Sequence, residues 1–184
     1  MKTNPIQTLA DSRSCKFFVV YDDLESGKRA KETCDFIVGQ FGFRGEIHDD
    51  FWRLDLLQEP ALKKTATRNA AGADIIIFST KADVHLSDEI KTWLEECLHR
   101  KTDRPRMLVA VSCRSRRASG SLFPIETHLQ EIATRNGVDY LPRIVETEDG
   151  ANVSVKEERV YSRPRRADLS GYMLLPSWLG IEVA

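Results

Sequence analysis

The sequence lacks most of the features that announce an activity. Its four cysteines, Cys15, Cys34, Cys97 and Cys113, are widely spaced and form no Cys-x-x-Cys. That leaves neither a disulfide framework nor a zinc site to argue from, so buried reduced thiols are expected, and with them a cytoplasmic setting. His48, His85, His99 and His128 lie apart with no helical spacing between them, which excludes reading a metal site or an acid/base dyad. No long apolar span occurs, and Met1 to Ser14 has no apolar h-region; export and membrane insertion are not expected. Charge of neither sign dominates: 27 basic against 28 acidic side chains give a net charge of −1. A large phosphate footprint is therefore absent and no nucleic-acid partner is expected, despite Arg163, Arg165 and Arg166 around Pro164. Internal repeats and low-complexity segments are missing too.

What is present is an ordinary globular composition, 41% hydrophobic and 30% charged over 184 residues. A chain of that length suits one domain that buries roughly 70% of its unfolded surface without staples. Residues 1–14 read as a loose lead-in and 15–146 as the domain. Its first unit is the most informative. Cys-Lys-Phe-Phe-Val-Val-Tyr runs into Asp22-Asp23, then into Ser26-Gly27 and a pattern with Ala30, Cys34, Ile37, Val38 and Phe41 on one face. An apolar run ended by acids just before an amphipathic helix is the first strand, loop and helix of an open α/β sheet.

Four further strands follow. Glu46 to Leu57 carries scattered charge, with Trp52, Leu54 and Leu56 alternating as in an exposed strand. Pro60 opens a helix whose inward residues are Leu62, Ala66 and Ala70 and which ends near Gly72. Ile75-Ile76-Ile77-Phe78 is too apolar for a wet face. Ser87 caps a helix bearing Ile90, Trp93, Leu94, Cys97 and Leu98. Met107 to Val111 is a third doubly buried run. Pro124 begins a helix closed by Asn136-Gly137, and Val138 to Val145 is the last strand. Runs one, three and four are continuously apolar, whereas the second is charged and the fifth contains Pro142, so the second and fifth are placed at the edges. With right-handed crossovers this gives a three-layer α/β/α sandwich around a parallel five-stranded sheet in the flavodoxin-like order 2-1-3-4-5. Residues 147–184 form a C-terminal extension; its Met173, Leu174, Trp178 and Leu179 are expected to dock on the domain or on a second subunit of a homodimer.

In such a sheet ligands sit beyond the carboxyl ends of the strands at the switch point between strands 1 and 3. The residues placed there are Asp22, Asp23, Ser26 and Gly27 from the first loop, Ser79, Thr80 and Lys81 from the third strand, and Ser112 and Arg114 from the fourth. A plainer reading competes with ligand binding: Asp23 or Ser26 caps the first helix and the hydroxyls satisfy loop backbone.

Val20-Tyr21-Asp22-Asp23 resembles the acidic pair that ends the first strand of response-regulator receiver domains and holds magnesium there. Asp74-Ile-Ile-Ile-Phe-Ser79 resembles their third-strand motif, with Ser79 in place of the phospho-accepting aspartate. Ser112 matches the fourth-strand hydroxyl, and Gly137-Val138-Asp139-Tyr140-Leu141 resembles the stretch before the fifth-strand lysine, replaced by Pro142 and Arg143. The resemblance implies a degenerate receiver in which no aspartyl phosphate forms. Ser26-Gly27 also resembles the end of the flavodoxin phosphate loop, which would imply FMN or a nucleotide as cofactor. Two carboxylates roughly 6 Å from a flavin phosphate oppose it by about 3 kcal/mol per charge pair at an effective dielectric near 20, partly offset by Lys28 and Arg29. Trp52 or Phe78 would have to supply the stacking.

Other constellations fail on spacing. Cys113-Arg-Ser-Arg-Arg-Ala-Ser119 resembles a phosphatase loop, but Ser119 stands where the arginine must be. Arg114, Arg116 and Arg117, interleaved with serines, favour a small anion before a helix start, against a plain solvated loop. The expected function is a non-catalytic regulatory or binding module working through a protein partner or a small anionic ligand; the alternative is a flavin- or nucleotide-binding electron carrier.

Overall fold

The computed structural model describes residues 14–81, 85–99, 106–115, 124–147 and 157–158. The elements run β1 (Ser14–Tyr21), α1 (Leu24–Gln40), β2 (Glu46–Arg53), a 3-10 turn (Leu54–Gln58), α2 (Pro60–Ala71), β3 (Ile75–Lys81), α3 (Asp88–His99), β4 (Met107–Ser115), α4 (Pro124–Asn136), β5 (Asp139–Thr147) and β6 (Glu157–Glu158). The sheet order is β2-β1-β3-β4-β5-β6. Its first five strands are parallel and form the flavodoxin-like 2-1-3-4-5 order.

The pleat sends alternate side chains to opposite faces, and both faces of β1, β3 and β4 are dry. Phe18, Val20, Ile76, Phe78, Leu108 and Ala110 join α2, α3 and α4 in one core. Phe17, Val19, Ile75, Ile77, Met107, Val109 and Val111 join Ala30, Cys34 and Ile37 of α1 in the other. The helix ends follow their local chemistry. Ser87 Oγ accepts from the Ile90 N–H at 3.4 Å and opens α3; Gly137, at φ 66°, closes α4 while Val138 N–H reaches back to the Ala133 carbonyl, a left-handed cap that glycine adopts without strain.

Three expectations are corrected. The second strand stops at Arg53, because Leu54 and Leu57 fall three apart and meet on one side of a 3-10 turn; Leu57 is buried and Leu56 exposed. Leu62 is exposed as well, the core beside Ala66 and Ala70 being occupied by Leu57. And β5 is not a bare edge: past Pro142, Ile144 and Val145 pair antiparallel with β6. Residues 163–166 and the apolar tail from Tyr172, including Met173, Leu174, Trp178 and Leu179, lie outside the described residues. None of the described helices is long and apolar enough to cross a membrane.

At the amino-terminal rim one side chain ties the layers together. Arg106, buried before β4, donates from Nε to the Ala73 carbonyl at 3.2 Å, from Nη1 to Cys97 at 2.9 Å and from Nη2 to Ala70 at 2.7 Å. These carbonyls include ones near the ends of α2 and α3, which an intrahelical ladder leaves unanswered. Replacing Arg106 by Leu is expected to lower the unfolding free energy by about 3 kcal/mol, since buried carbonyls lose a charged donor. Urea denaturation measures this, and a loss under about 0.5 kcal/mol, the range of an ordinary surface change, would contradict it.

Candidate functional site

The carboxyl ends of β1, β3 and β4 do lie side by side. Tyr21 is in register with Ser79, Ser79 with Val111 and Thr80 with Ser112. The pleat nevertheless divides the set. Ser79 Oγ donates to the Ser26 carbonyl of α1 at 2.7 Å, which puts it on the α1 face, and its strand neighbour Thr80 and that residue's partner Ser112 therefore belong to the α2–α4 face. Both of the latter are buried. Arg114 lies further along β4, in register with Glu146 of β5.

The first loop is a closed knot of hydrogen bonds. Asp23 is the N-cap of α1: its Oδ1 accepts from the Ser26 N–H at 2.8 Å, and Ser26 Oγ accepts from the Asp23 N–H at 2.9 Å and the Asp22 N–H at 3.1 Å. This is a capping box with serine in the returning position. Asp22 Oδ1 accepts from the Asp23 N–H at 2.9 Å, and its Oδ2 from the Lys81 N–H at 3.1 Å. The Gly27 N–H donates to the Asp23 carbonyl at 2.9 Å. Gly27 is small for a packing reason, since a Cβ there would stand 3.2 Å from Cδ2 of Tyr21.

Lys81 completes the rim. Its Nζ lies 2.8 Å from Asp23 Oδ2, and this ammonium, followed by the Ser26 N–H, holds the Asp23 carboxyl down at about 2 against an ordinary 3.8. The acid pair thus has its positive charge supplied from within the chain. Of the residues proposed for ligand contact, Asp22, Asp23, Ser26, Ser79 and Lys81 are brought together, and they bond one another.

The cofactor-like features are absorbed likewise. Phe78 is core, and Trp52 stacks on Phe18 with centroids 6.3 Å apart. Burial pushes the Cys34 thiol up to about 12, so it stays protonated at neutral pH. Two open grooves among the described residues lie away from the switch point. One is lined by Lys16, His48 and Asp50 with Arg68 and Asn69; the other by Thr92, Glu95, His99 and Arg135 among the later turns of the helices. From Arg116 to Ser121 the basic loop lies outside the described residues.

Sequence reasoning missed two buried ions. Arg29 of α1 is 7% exposed and Glu126 of α4 is 2% exposed. Among the described residues, Nε and Nη2 of Arg29 and both carboxylate oxygens of Glu126 have no hydrogen-bond partner. The available signal was positional: Arg29 precedes Ala30 and stands four before Thr33, on the flank of the apolar stripe.

No protein-family model matches the chain. No curated protein matches it. The receiver-like motifs therefore stand without a family match behind them, and the α/β sheet order is what remains of that likeness.

Because the folded Asp23 carboxyl is depressed, its contribution to stability is complete above about pH 4 and is lost as pH falls through about 2. With Asp23 about a third exposed, solvent screening reduces that contribution to about 1 kcal/mol. Lys81→Met is expected to be less stable than the parent by about that amount at pH 7 and to converge with it near pH 2. Urea midpoints across that range test it; a difference that does not change with pH would refute the ion pair.

Proposed function

We propose that this chain is a non-catalytic regulatory or binding module of receiver-like fold, not competent for aspartyl phosphorylation, that acts through a protein partner or a small anionic ligand. The observation that carries the reading is Ser79. At the place where a receiver needs an exposed acceptor carboxylate stands a fully buried hydroxyl, whose hydrogen is already given to the Ser26 carbonyl at 2.7 Å. A nucleophile must be reached by its substrate and unburdened of its proton by a base; this one has a carbonyl as neighbour and no access. The flanking acids support the same reading, since Asp23 is neutralised by Lys81 and Asp22 accepts two backbone N–H groups.

The flavin- or nucleotide-binding alternative draws less support. A phosphate loop needs several backbone N–H groups directed at the ligand, and here those of Asp22, Asp23, Ser26 and Gly27 donate within the loop. Incubation with acetyl phosphate and magnesium, followed by intact-mass measurement, is expected to show no added phosphoryl group. A flavin or nucleotide at a hundred times its dissociation constant would stabilise the fold by about 2.7 kcal/mol, so a thermal-shift screen with these cofactors is expected to stay flat. A covalent phosphoryl adduct, or a melting shift with a yellow purified protein, would overturn the proposal.

A further inference from the structure

The two faces of the sheet are unequally clothed. Of the described helices, α2, α3 and α4 all contribute to the core on one face, and only α1 contributes to the core on the other. α1 lies along β1 and β3: Gly27 abuts the Tyr21 ring, and the Ser26 carbonyl takes the hydroxyl hydrogen of Ser79. A helix is about 10 Å across and neighbouring strands stand about 4.8 Å apart, so one helix shelters about two strands. β5 and the adjoining side of β4 lie beyond that reach.

β5 shows the contrast within one strand. On the three-helix face Tyr140 is closed over by α4, its hydroxyl donating to the Glu126 carbonyl at 3.2 Å. On the α1 face the pleat places Leu141, Arg143 and Val145, in register with Val109, Val111 and Cys113 of β4. α1 reaches this row through Arg143, which donates to Thr33 Oγ1 at 3.1 Å and lies 4.8 Å over the centre of the Phe36 ring. Val145 is nonetheless only 3% exposed, and Leu141 is half-buried. Water is excluded from a stretch of face for which α1 accounts only in part.

The chain itself supplies an occupant. Glu157 and Glu158 of β6 pair antiparallel with Val145 and Ile144, so Glu158 stands at the outer edge of β5. The 13 residues 159–171 that follow can span up to about 45 Å, several times the roughly 10 Å that separates stacked layers. Residues 172–183 are apolar at 8 of 12 positions, among them Met173, Leu174, Trp178 and Leu179, and carry one charge, Glu182, in a chain that is 30% charged. Such a segment suits a dry face and not open water. Tethering holds it near the sheet at an effective concentration on the order of millimolar, which favours it over a second copy of the chain.

We propose that residues 172–183 dock in cis on the α1 face of the sheet, over β5 and the adjoining side of β4, with Trp178 as the anchor and Leu141 as part of its seat.

A double-mutant cycle on the full chain, read by thermal melting, tests the contact. Trp178→Ala is expected to lower the melting temperature by roughly 5–10 °C, and Leu141→Ala by less. Combined, their shifts should fall short of the sum, because each substitution removes the contact that the other makes. Trp178→Ala with Leu62→Ala, which trims an exposed side chain of α2 on the opposite face, should be additive. Should any of these variants fail to fold, acrylamide quenching decides. Parent minus Trp178→Phe isolates the emission of Trp178, which is expected to be as protected as a core tryptophan in a protein that sediments as a monomer. Additive shifts for Leu141 and Trp178, a Trp178→Ala variant that melts with the parent, or a Trp178 quenched like free tryptophan would each overturn the contact. Protection that appears only as the protein dimerises would overturn docking in cis.

Discussion

A polar group shut away from water must be answered by another polar group, and in a sheet dry on both faces that constraint decides almost every side chain at the rims. Unanswered, each neutral group costs on the order of 1–3 kcal/mol, and an ion several more. Arg106 meets the constraint with three carbonyls. At the start of β3, Asp74 meets it by accepting the Lys16 N–H at 2.9 Å while its own N–H bonds back to the Lys16 carbonyl. Ser79 meets it through Ser26. Against that background the unpartnered buried atoms of Arg29, Trp52 and Glu126 stand out as exceptions among the described residues.

The same constraint shapes the functional reading. The switch-point loop of an open α/β sheet is a place where backbone donors and strand-end acids are free to meet a ligand. Here the capping box, the Ser79 bond and the Lys81 ion pair close that place on itself. Such a knot fixes the start of α1 against the end of β3.

The fold was legible because its signal is gross. Three apolar runs bounded by a charged run and a proline-bearing one specify which strands are inside, and the right-handed crossover then leaves one order. The Leu54–Leu57 stretch was not legible, since leucines at alternate positions fit a strand until the three-residue spacing of Leu54 and Leu57 is given its due. The candidate residues were placed at the right end of the right strands, but their roles were not: whether Asp23 binds a ligand or caps a helix depends on what Lys81 and Ser26 do, and neither is fixed by spacing. The division of Ser79 from Thr80 and Ser112 between two faces was implicit in the pleat. Arg29 was hidden for a different reason. Beside Lys28 in a polar helical run it has the look of a solvated surface residue, and only tertiary packing buries it.

The most direct measurement is amide hydrogen exchange at the first loop. The N–H groups of Asp22, Asp23, Ser26 and Gly27, which donate within that loop, are predicted to exchange far more slowly than those of an unstructured chain. Exchange of these four at the rate of an unstructured chain would contradict the account.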